Sequence, residues 1–559
     1  MSLMGSLYIG VSGLQTANNA LNTTAHNMSN LDTLGYTRQQ ISQAAKTYIT
    51  ISTTGSVNWK QLGLGVTYSQ TRQVRDYFLD QNYRRESGRS AFYDVSYSAL
   101  GEIENILGES YEGHEFNESL TNLWQAVEEL SKSPADAVNQ NLFVTRSYEF
   151  ITRASAVYES LCEYQDNMNK TVKTQVDQIN KYAQQIELLN RQIQRIEGGV
   201  EHANDLRDQR NYILDQLAQI ANISYDEDVF GYVNVKLEGV DLVKGSLVNK
   251  IALYEDPSTG YYTPYWEMFA SYKFDSEGEK YLPPESLASC RVFDLTRAIS
   301  SDLNTDIGSL KSILLARGDH HAYAQELKDI NADGVYEAGW YDRHISQSII
   351  MNIEAEFDQL INSVVTKIND ILKEAAEAES KIYPNSTYLR DSNGNPYQLF
   401  QKVVDDGSKY TLPDGTVIEG GWNVGNLKIN MQLRQNPALL KFRLHEGSED
   451  NAAMEKLKAA FQEYAYTLNP NVQTPVNFVE YYKNLVAQVA NSGEVYGDIM
   501  TSQTITVDSI ENAREQVVGV SSDEELTNMV MYQNAYNASS RYINVISEML
   551  EHIIMALAR

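Results

Sequence analysis

Residues 520–557, VSSDEELTNMVMYQNAYNASSRYINVISEMLEHIIMAL, carry apolar or small residues at alternating spacings of three and four. Met529, Tyr536, Ile543, Leu550 and Leu557 recur every seven residues, and Tyr532, Ser539, Ile546 and Ile553 fall between them. This spacing predicts a helix with one seam for another helix in a left-handed, coiled-coil-like pair. Ser522 followed by Glu525 reads as a capping box, and Asp523, Glu524 and Glu525 suit the positive end of a helix dipole. Residues 2–31 offer a matching stripe in Leu3, Leu7, Leu14, Ala17, Leu21, Ala25 and Met28. The two ends are therefore expected to pack together or against copies of themselves. Isolated helices are marginal in water, so the ends are expected to be disordered in the free chain and to fold on assembly.

Composition narrows the classes of function. A chain of 559 residues holds several domains, and an apolar fraction of 42% is ordinary for globular proteins. A net charge of −29 argues against nucleic acid or an anionic membrane as partner. No apolar run approaches the length of a membrane span. The two cysteines, Cys162 and Cys290, give neither a disulfide framework nor a metal-ligand spacing. Residues 1–31 contain no Asp, Glu, Lys or Arg and lack the basic start of a secretory signal, so secretion with cleavage is not expected.

Proline marks the middle of the chain. Ten of the eleven prolines lie between Pro257 and Pro475, which leaves both ends free to form long helices. Residues 40–71 read as extended, and a helix is expected from Thr71 to Leu107, with Arg75, Asp76, Tyr83 and Arg84 on a salt-bridged exposed face. Asn117 is positioned to cap a short helix from Glu118 to Leu130. Pro134 is placed to open a long one, where Val172, Val176, Ile179, Ala183, Ile186, Ile193 and Ile196 form a second seam ended by Gly198-Gly199. In the next helix Leu206, Ile213, Leu217 and Ile220 form a stripe flanked by charges. From Ile223 to Leu237 the alternation is that of strands. A helix from about His344 to Leu372 carries Ile349, Ile353, Phe357, Leu360, Val364 and Ile368 on one face. Residues 379–425 read as a solvent-facing insertion with turns at Asp391–Pro396 and Pro413–Gly415. Helix resumes at Asn477 with Phe478, Tyr481, Tyr482, Leu485, Val489 and Val495.

Several stretches resemble one family. Asn27–Gln39, with Gly35-Tyr36-Thr-Arg38-Gln39, is similar to the N-terminal motif shared by bacterial axial flagellar proteins. Asp205–Leu217, Gly308–Asp319 and Tyr532–Leu550 resemble the hook-associated protein 1 (FlgK) family, as does the acidic triplet Asp523–Glu525. The resemblance implies a structural axial protein, not an enzyme, that forms the junction of hook and filament by self-assembly of its terminal helices at the distal end of the hook. The implied partners are copies of itself, the hook protein, the second hook-associated junction protein and a flagellar export chaperone on the C-terminal helices. Export is implied through the flagellar type III apparatus to an extracellular site on the flagellum. Another axial protein, of the hook or distal rod, is the alternative.

The expected fold is multidomain α + β, with terminal coiled-coil helices and a long helical bundle carrying an inserted β-rich outer region. Residues 1–70 form a helix plus extended segment that pairs with a C-terminal helix in 510–559. Residues 71–222 with 455–509 form the bundle, 223–378 with 426–454 a β-rich middle domain with helices, and 379–425 a variable insertion. The assembly interface is assigned to Leu3, Leu7, Leu14, Leu21, Met28, Tyr36, Met529, Tyr532, Tyr536, Ile543, Ile546, Leu550, Ile553 and Leu557.

No catalytic motif stands in the chain: there is no phosphate loop, no Gly-x-Ser-x-Gly and no His-Glu-x-x-His, and no cofactor is expected. His320-His321 beside Asp319 is the one histidine pair, and a metal site is not expected there. Asp329, Asn331 and Asp333 with Gly334 copy the first half of a calcium loop, but Trp340 stands at the chelating twelfth position, which favours an Asx-type turn.

Overall fold

The computed structural model describes residues 3–47, 49–52, 60–108, 116–199, 202–274, 278–331, 334–384, 386–405, 407, 409–411 and 417–557. Val57, Asp333 and the Pro413–Gly415 turn fall outside them, as does the side chain of Leu3. The chain opens with helix α1 (Leu3–Ser29) and four short strands, β1 (Gln39–Ala45), β2 (Ile49–Ser52), β3 (Lys60–Leu62) and β4 (Val66–Gln73). β1 pairs antiparallel with β4, and β2 with β3. β4 holds Thr71 to Gln73, where a helix was expected. The helix α2 (Tyr77–Leu107) starts only after Asp76, whose carboxylate accepts the amides of Phe78 and Leu79.

Three helices complete the bundle's first half: α3 (Phe116–Lys132), α4 (Ala137–Glu197) and α5 (Asn204–Ile220). Asn117 therefore lies inside α3, and Asp136 rather than Pro134 starts α4, accepting the Val138 amide at 2.9 Å. The 61-residue α4 is the spine, and Val172, Val176, Ile179, Ala183, Ile186 and Ile193 are all buried along it, while Ile196 is exposed. In α5 the buried stripe is Leu214, Leu217 and Ala218, with Leu206, Ile213 and Ile220 half-buried.

A four-stranded antiparallel sheet follows, β5 (Ile223–Glu227), β6 (Val233–Leu237), β7 (Val240–Lys244) and β8 (Leu247–Val248). Val233, Val235 and Leu237 alternate inward onto the core. Two hairpins, β9 (Ile251–Glu255) with β10 (Tyr262–Trp266) and β11 (Lys273–Phe274) with β12 (Lys280–Tyr281), precede the short helices α6 (Pro284–Cys290) and α7 (Ser309–Arg317).

The long helix α8 (Ile349–Ile382) begins at Ser348, which caps the Met351 amide, and outlasts its expected end by a full ten residues. It buries its apolar stripe and four acids, Glu354, Glu356, Asp358 and Glu379. Glu356 accepts the side-chain amides of Asn469 at 2.6 Å and Gln488 at 3.1 Å. Asp358 accepts the backbone amides of Ala324 and Val424, and burial pushes its carboxyl up to about 7.

The region 379–425 is not solvent-facing throughout. It contains β13 (Phe400–Lys402), β14 (Lys409–Thr411) and β15 (Val417–Glu419), and β13 pairs with β16 (Leu427–Ile429) across it. Leu399, Phe400 and Val424 are buried in the main core, and Asn369 of α8 bonds the Leu399 amide and the Phe400 carbonyl. Helices α9 (Met431–Gln435) and α10 (Asn451–Gln462) lead to α11 (Phe478–Val518), which crosses residue 510 without a break. Its stripe is buried as far as Val489, while Val495 is exposed. The last helix is α12 (Ser522–Leu557).

The salt-bridged face expected to be exposed on α2 is buried. Arg84 meets Asp215 of α5 at 2.6 Å, and Arg514 of α11 reaches Asp215 at 2.6 Å and Asp80 at 2.9 Å. Together these ion pairs tie α2, α5 and α11 in one register. The α + β reading, long helices with small antiparallel sheets, holds.

The terminal helices are ordered against each other as an antiparallel pair within one chain. A Cβ at Gly10 would lie 2.8 Å from Ile543 Cγ1, and one at Gly13 would lie 2.8 Å from Ser539 Oγ, so the backbones approach closely there. Gly10→Val should therefore part the helices at a cost of roughly 1–3 kcal/mol. Amide exchange across residues 536–546 should speed up while α4 is unchanged; unchanged exchange in both would refute the close contact.

Candidate assembly interface

The loop after α1 is where the N-terminal helix, the C-terminal helix and the bundle meet. Gly35 turns it with a φ of 76° against the Tyr212 ring of α5. Asn27, on the last turn of α1, holds the outgoing strand: its Nδ2 donates to the Gln39 carbonyl at 2.9 Å, and its Oδ1 accepts the Gln39 amide at 3.0 Å. The same Oδ1 accepts the Tyr36 hydroxyl at 2.8 Å. Burial, with Asp205, Asp208 and Glu525 nearby, pushes the Tyr36 hydroxyl well above its ordinary pKa, so it stays a donor. Gln39 donates to Asp205 at 2.8 Å, and Asp208 accepts the Thr37 amide at 3.1 Å and the Gln73 side chain at 2.7 Å.

Arg38 completes the junction. Its guanidinium contacts Glu525 at 3.0 Å and Glu524 at 2.8 Å, and its amide donates to the Val518 carbonyl at 2.8 Å. Glu525 is thus a buried ion-pair partner and not the far half of a capping box. Ser521, one residue before the expected cap, takes the cap position: its carbonyl accepts the Glu525 amide at 3.0 Å and its hydroxyl lies 3.5 Å from the Glu524 amide. Arg38 belongs to the Gly35–Gln39 motif, but nothing in local spacing connects it to residues almost five hundred positions away.

The structure brings most of the expected interface residues to the α1–α12 pair. Ile546 is buried there, and Met529, Tyr532, Tyr536, Ile543 and Leu550 are half-buried, as are Leu7, Leu14, Leu21 and Met28 on α1. Ile553 and Leu557 are 42% and 82% exposed, past the reach of α1, and Ala25 is also exposed. The deepest positions of α1 are small or polar: Gly5, Ser6, Gly10, Ser12, Thr16, Ala17, Ala20 and Thr24. Ser12 faces the strands instead of α12, with its hydroxyl 3.3 Å from the Val66 amide. A stripe drawn from large residues alone misses these contacts.

Asp329 and Asn331 of the calcium-loop stretch bind backbone amides. Asp329 accepts the amides of Gly339 and Tyr341 at 3.0 and 3.1 Å, and Asn331 accepts that of Val335 at 2.9 Å. Trp340 stacks on His344. The His320 ring is also engaged, each nitrogen lying 2.7 Å from a carboxylate, those of Asp319 and Glu326.

Comparison with known proteins supplies the family. The helical domain of flagellar hook-associated protein FlgK matches residues 100–288, the flagella basal body rod protein family matches 7–37, and the C-terminal family of basal body rod FlgEFG proteins matches 516–555. Flagellar hook-associated protein 1 of Bacillus subtilis is 25% identical over 558 residues, covering 97% of each chain. Along nearly its whole length the chain is similar to the hook-associated protein 1 family. The protein of that name from Salmonella typhimurium is 24% identical over 565 residues, covering 97% of this chain and 98% of its own. The solved hook junction protein FlgK of Burkholderia pseudomallei shares the fold at a TM-score of 0.53 and 12% identity, covering 78% of this chain and all of that one. The family is a structural flagellar one and not a family of enzymes. Its members are parts of the flagellum and assemble with other flagellar proteins. Among the described residues no helix is long and apolar enough to cross a membrane.

Arg38→Ala leaves the Glu525 carboxylate buried without its cation and should cost about 2–3 kcal/mol at the root of α12. Hydrogen exchange over residues 522–530 should rise accordingly, and Arg38→Lys should restore only part of the protection, because it loses the fork. Exchange unchanged in Arg38→Ala would remove the ion pair from its assigned role.

Burial pushes Asp208 up to about 6, outweighing the Thr37 amide and Arg75. An acid whose folded pKa is raised binds more protons when folded, so its stabilising contribution is present at low pH and lost as pH rises from about 4 through about 6. The stability of the protein relative to Asp208→Asn should fall over that interval. Urea unfolding of both at about pH 4.5 and about pH 7 checks the sign.

Proposed function

We propose that this protein is a structural axial component of the bacterial flagellum that forms the hook–filament junction, its terminal helices self-assembling at the distal end of the hook. The observation that carries the reading is the apolar surface left on the terminal pair. With α1 on one side of α12, the other side still exposes Tyr542, Val545, Met549 and Ile553 at spacings that share a face. Leu526, Val530 and Met531 continue the exposure toward the root, and Tyr8 and Val11 add to it from α1. A soluble monomer rarely leaves so much contiguous apolar helix bare, and copies of the same pair are the natural cover.

The terminal pairs then form the inner layer of a ring or short helical stack. The bundle of α2 to α5 with α11 lies outside them, and the β-containing region is outermost. The assembly residues are those of both seams, with Arg38 and Tyr36 fixing the root. The hook protein on one side, the second hook-associated junction protein on the other, and an export chaperone on the C-terminal helices are the partners of this reading. Export through the flagellar type III apparatus places the protein outside the cell.

Two measurements test it. Immunogold electron microscopy with antibody to residues 223–454 should give a single narrow band between hook and filament; label along the whole hook would move the protein to the hook class. Removal of residues 521–559 should leave a folded chain that does not assemble, and normal filaments on such cells would overturn the mechanism.

A further inference from the structure

Among Glu354, Glu356 and Asp358 of α8, Glu354 is the one with an oxygen lacking a close hydrogen-bond donor. Its Oε2 accepts the Ala322 amide at 3.0 Å. Its Oε1 faces His321 Nδ1 at 3.6 Å and Cys162 Sγ at 3.8 Å. The first distance is too long for a good hydrogen bond, and the thiol is a weak donor. The thiol sulfur, an imidazole nitrogen and a carboxylate oxygen of these three residues all lie within 4.8 Å of one another.

A tetrahedral zinc ion, with bonds of about 2.0–2.3 Å, spaces such atoms about 3.3–3.6 Å apart. The triad is slightly wider than that, so small side-chain rotations close it. Sulfur, nitrogen and oxygen donors in a set of three suit Zn²⁺ better than a hard cation such as Ca²⁺ or Mg²⁺. The backbone on both sides of His321 is already pinned to the helices that carry the other two donors. The His320 carbonyl accepts Gln165 Nε2 at 2.9 Å, and Gln165 stands one turn from Cys162 on α4; the Ala322 amide binds Glu354 itself. The Tyr261 hydroxyl lies 3.5 Å from the His321 ring nitrogens, an outer partner for the ring. The His321 side chain is 30% exposed, so an ion can enter from solvent. His320 takes no part, because both its ring nitrogens are occupied.

We propose that Cys162, His321 and Glu354 form a binding site for a zinc-class divalent cation, with a water as fourth ligand, that clamps the segment 319–326 between α4 and α8. Binding converts the Cys162 thiol to a thiolate, its proton leaving to solvent, and uses a neutral His321 nitrogen.

The test is titration of the untagged full-length protein with Co²⁺ under a phosphine reductant that does not compete for metal. One equivalent should produce the near-ultraviolet band of a thiolate–cobalt bond and the visible bands of four-coordinate cobalt, and Zn²⁺ should bleach both. Cys162→Ser should abolish the near-ultraviolet band, and His321→Gln should weaken binding by at least about a hundredfold. Cys290→Ser, at a buried cysteine on α6 outside the triad, should change nothing. Circular dichroism establishes that each variant is folded, and should Cys162→Ser not fold, Glu354→Gln with His321→Gln decides. The absence of a stoichiometric band in the native protein, its survival in folded Cys162→Ser, or undiminished binding in both of the other variants would overturn the assignment.

Discussion

A buried guanidinium has to be compensated, and where distant segments of this chain join it is an anion that compensates it. Arg514 reaches from α11 to Asp80 on α2 and Asp215 on α5, and Arg84 shares Asp215 from the other side. Arg38 carries the same device to the end of the chain, meeting Glu525 from the loop after α1. Each pair costs desolvation, so its net contribution to stability is modest. Its directionality is the larger effect: an apolar stripe tolerates sliding by a turn, but a guanidinium fork does not.

This division of labour suits an assembling protein. The bundle core around α4 is largely apolar, and charges that fix register lie where α2, α5 and α11 meet the loop after α1. Beyond Arg38 and Glu525 the terminal pair extends with few fixed charges, and α1 has none before Asp32. Its closest contacts with α12 and with the β1–β4 pair are made by small and hydroxylated residues, which permit close backbone approach while a second apolar face of α12, with Tyr542, Val545 and Met549, stays outward. The root of the pair is thus specified by electrostatics and its free face is available for packing.

Local rules failed where a distant partner competed with them. Thr71–Gln73 looked helical but pairs with β1 as strand. Ser522 with Glu525 had the spacing of a capping box, yet Glu525 is claimed by Arg38 and Ser521 takes the cap position. Arg84 and Asp215 had the look of solvated charges on helices and are instead buried against each other. Glu354, Glu356 and Asp358 interleave with Ile353, Phe357 and Leu360, so a periodicity reading assigns them to the solvent side; the loop amide of Ala322, the side chains of Asn469 and Gln488, and the amides of Ala324 and Val424 make their burial tolerable. The turn-rich stretch before Leu427 reads as outward, although Leu399, Phe400 and Val424 complete the core beneath it.

The sequence by itself determined the helical seams, because a repeat of three and four residues is a property of the chain and needs no partner to be seen. It also determined the strand alternation from Ile223 to Leu237 and the motifs that resemble those of axial flagellar proteins. Only the tertiary structure decided which charges are buried, that the small residues of α1 make its closest contacts, and that Cys162, His321 and Glu354 share one point in space. Those outcomes depend on residues tens to hundreds of positions apart, and spacing along a chain carries no information about such distances until the fold has set them.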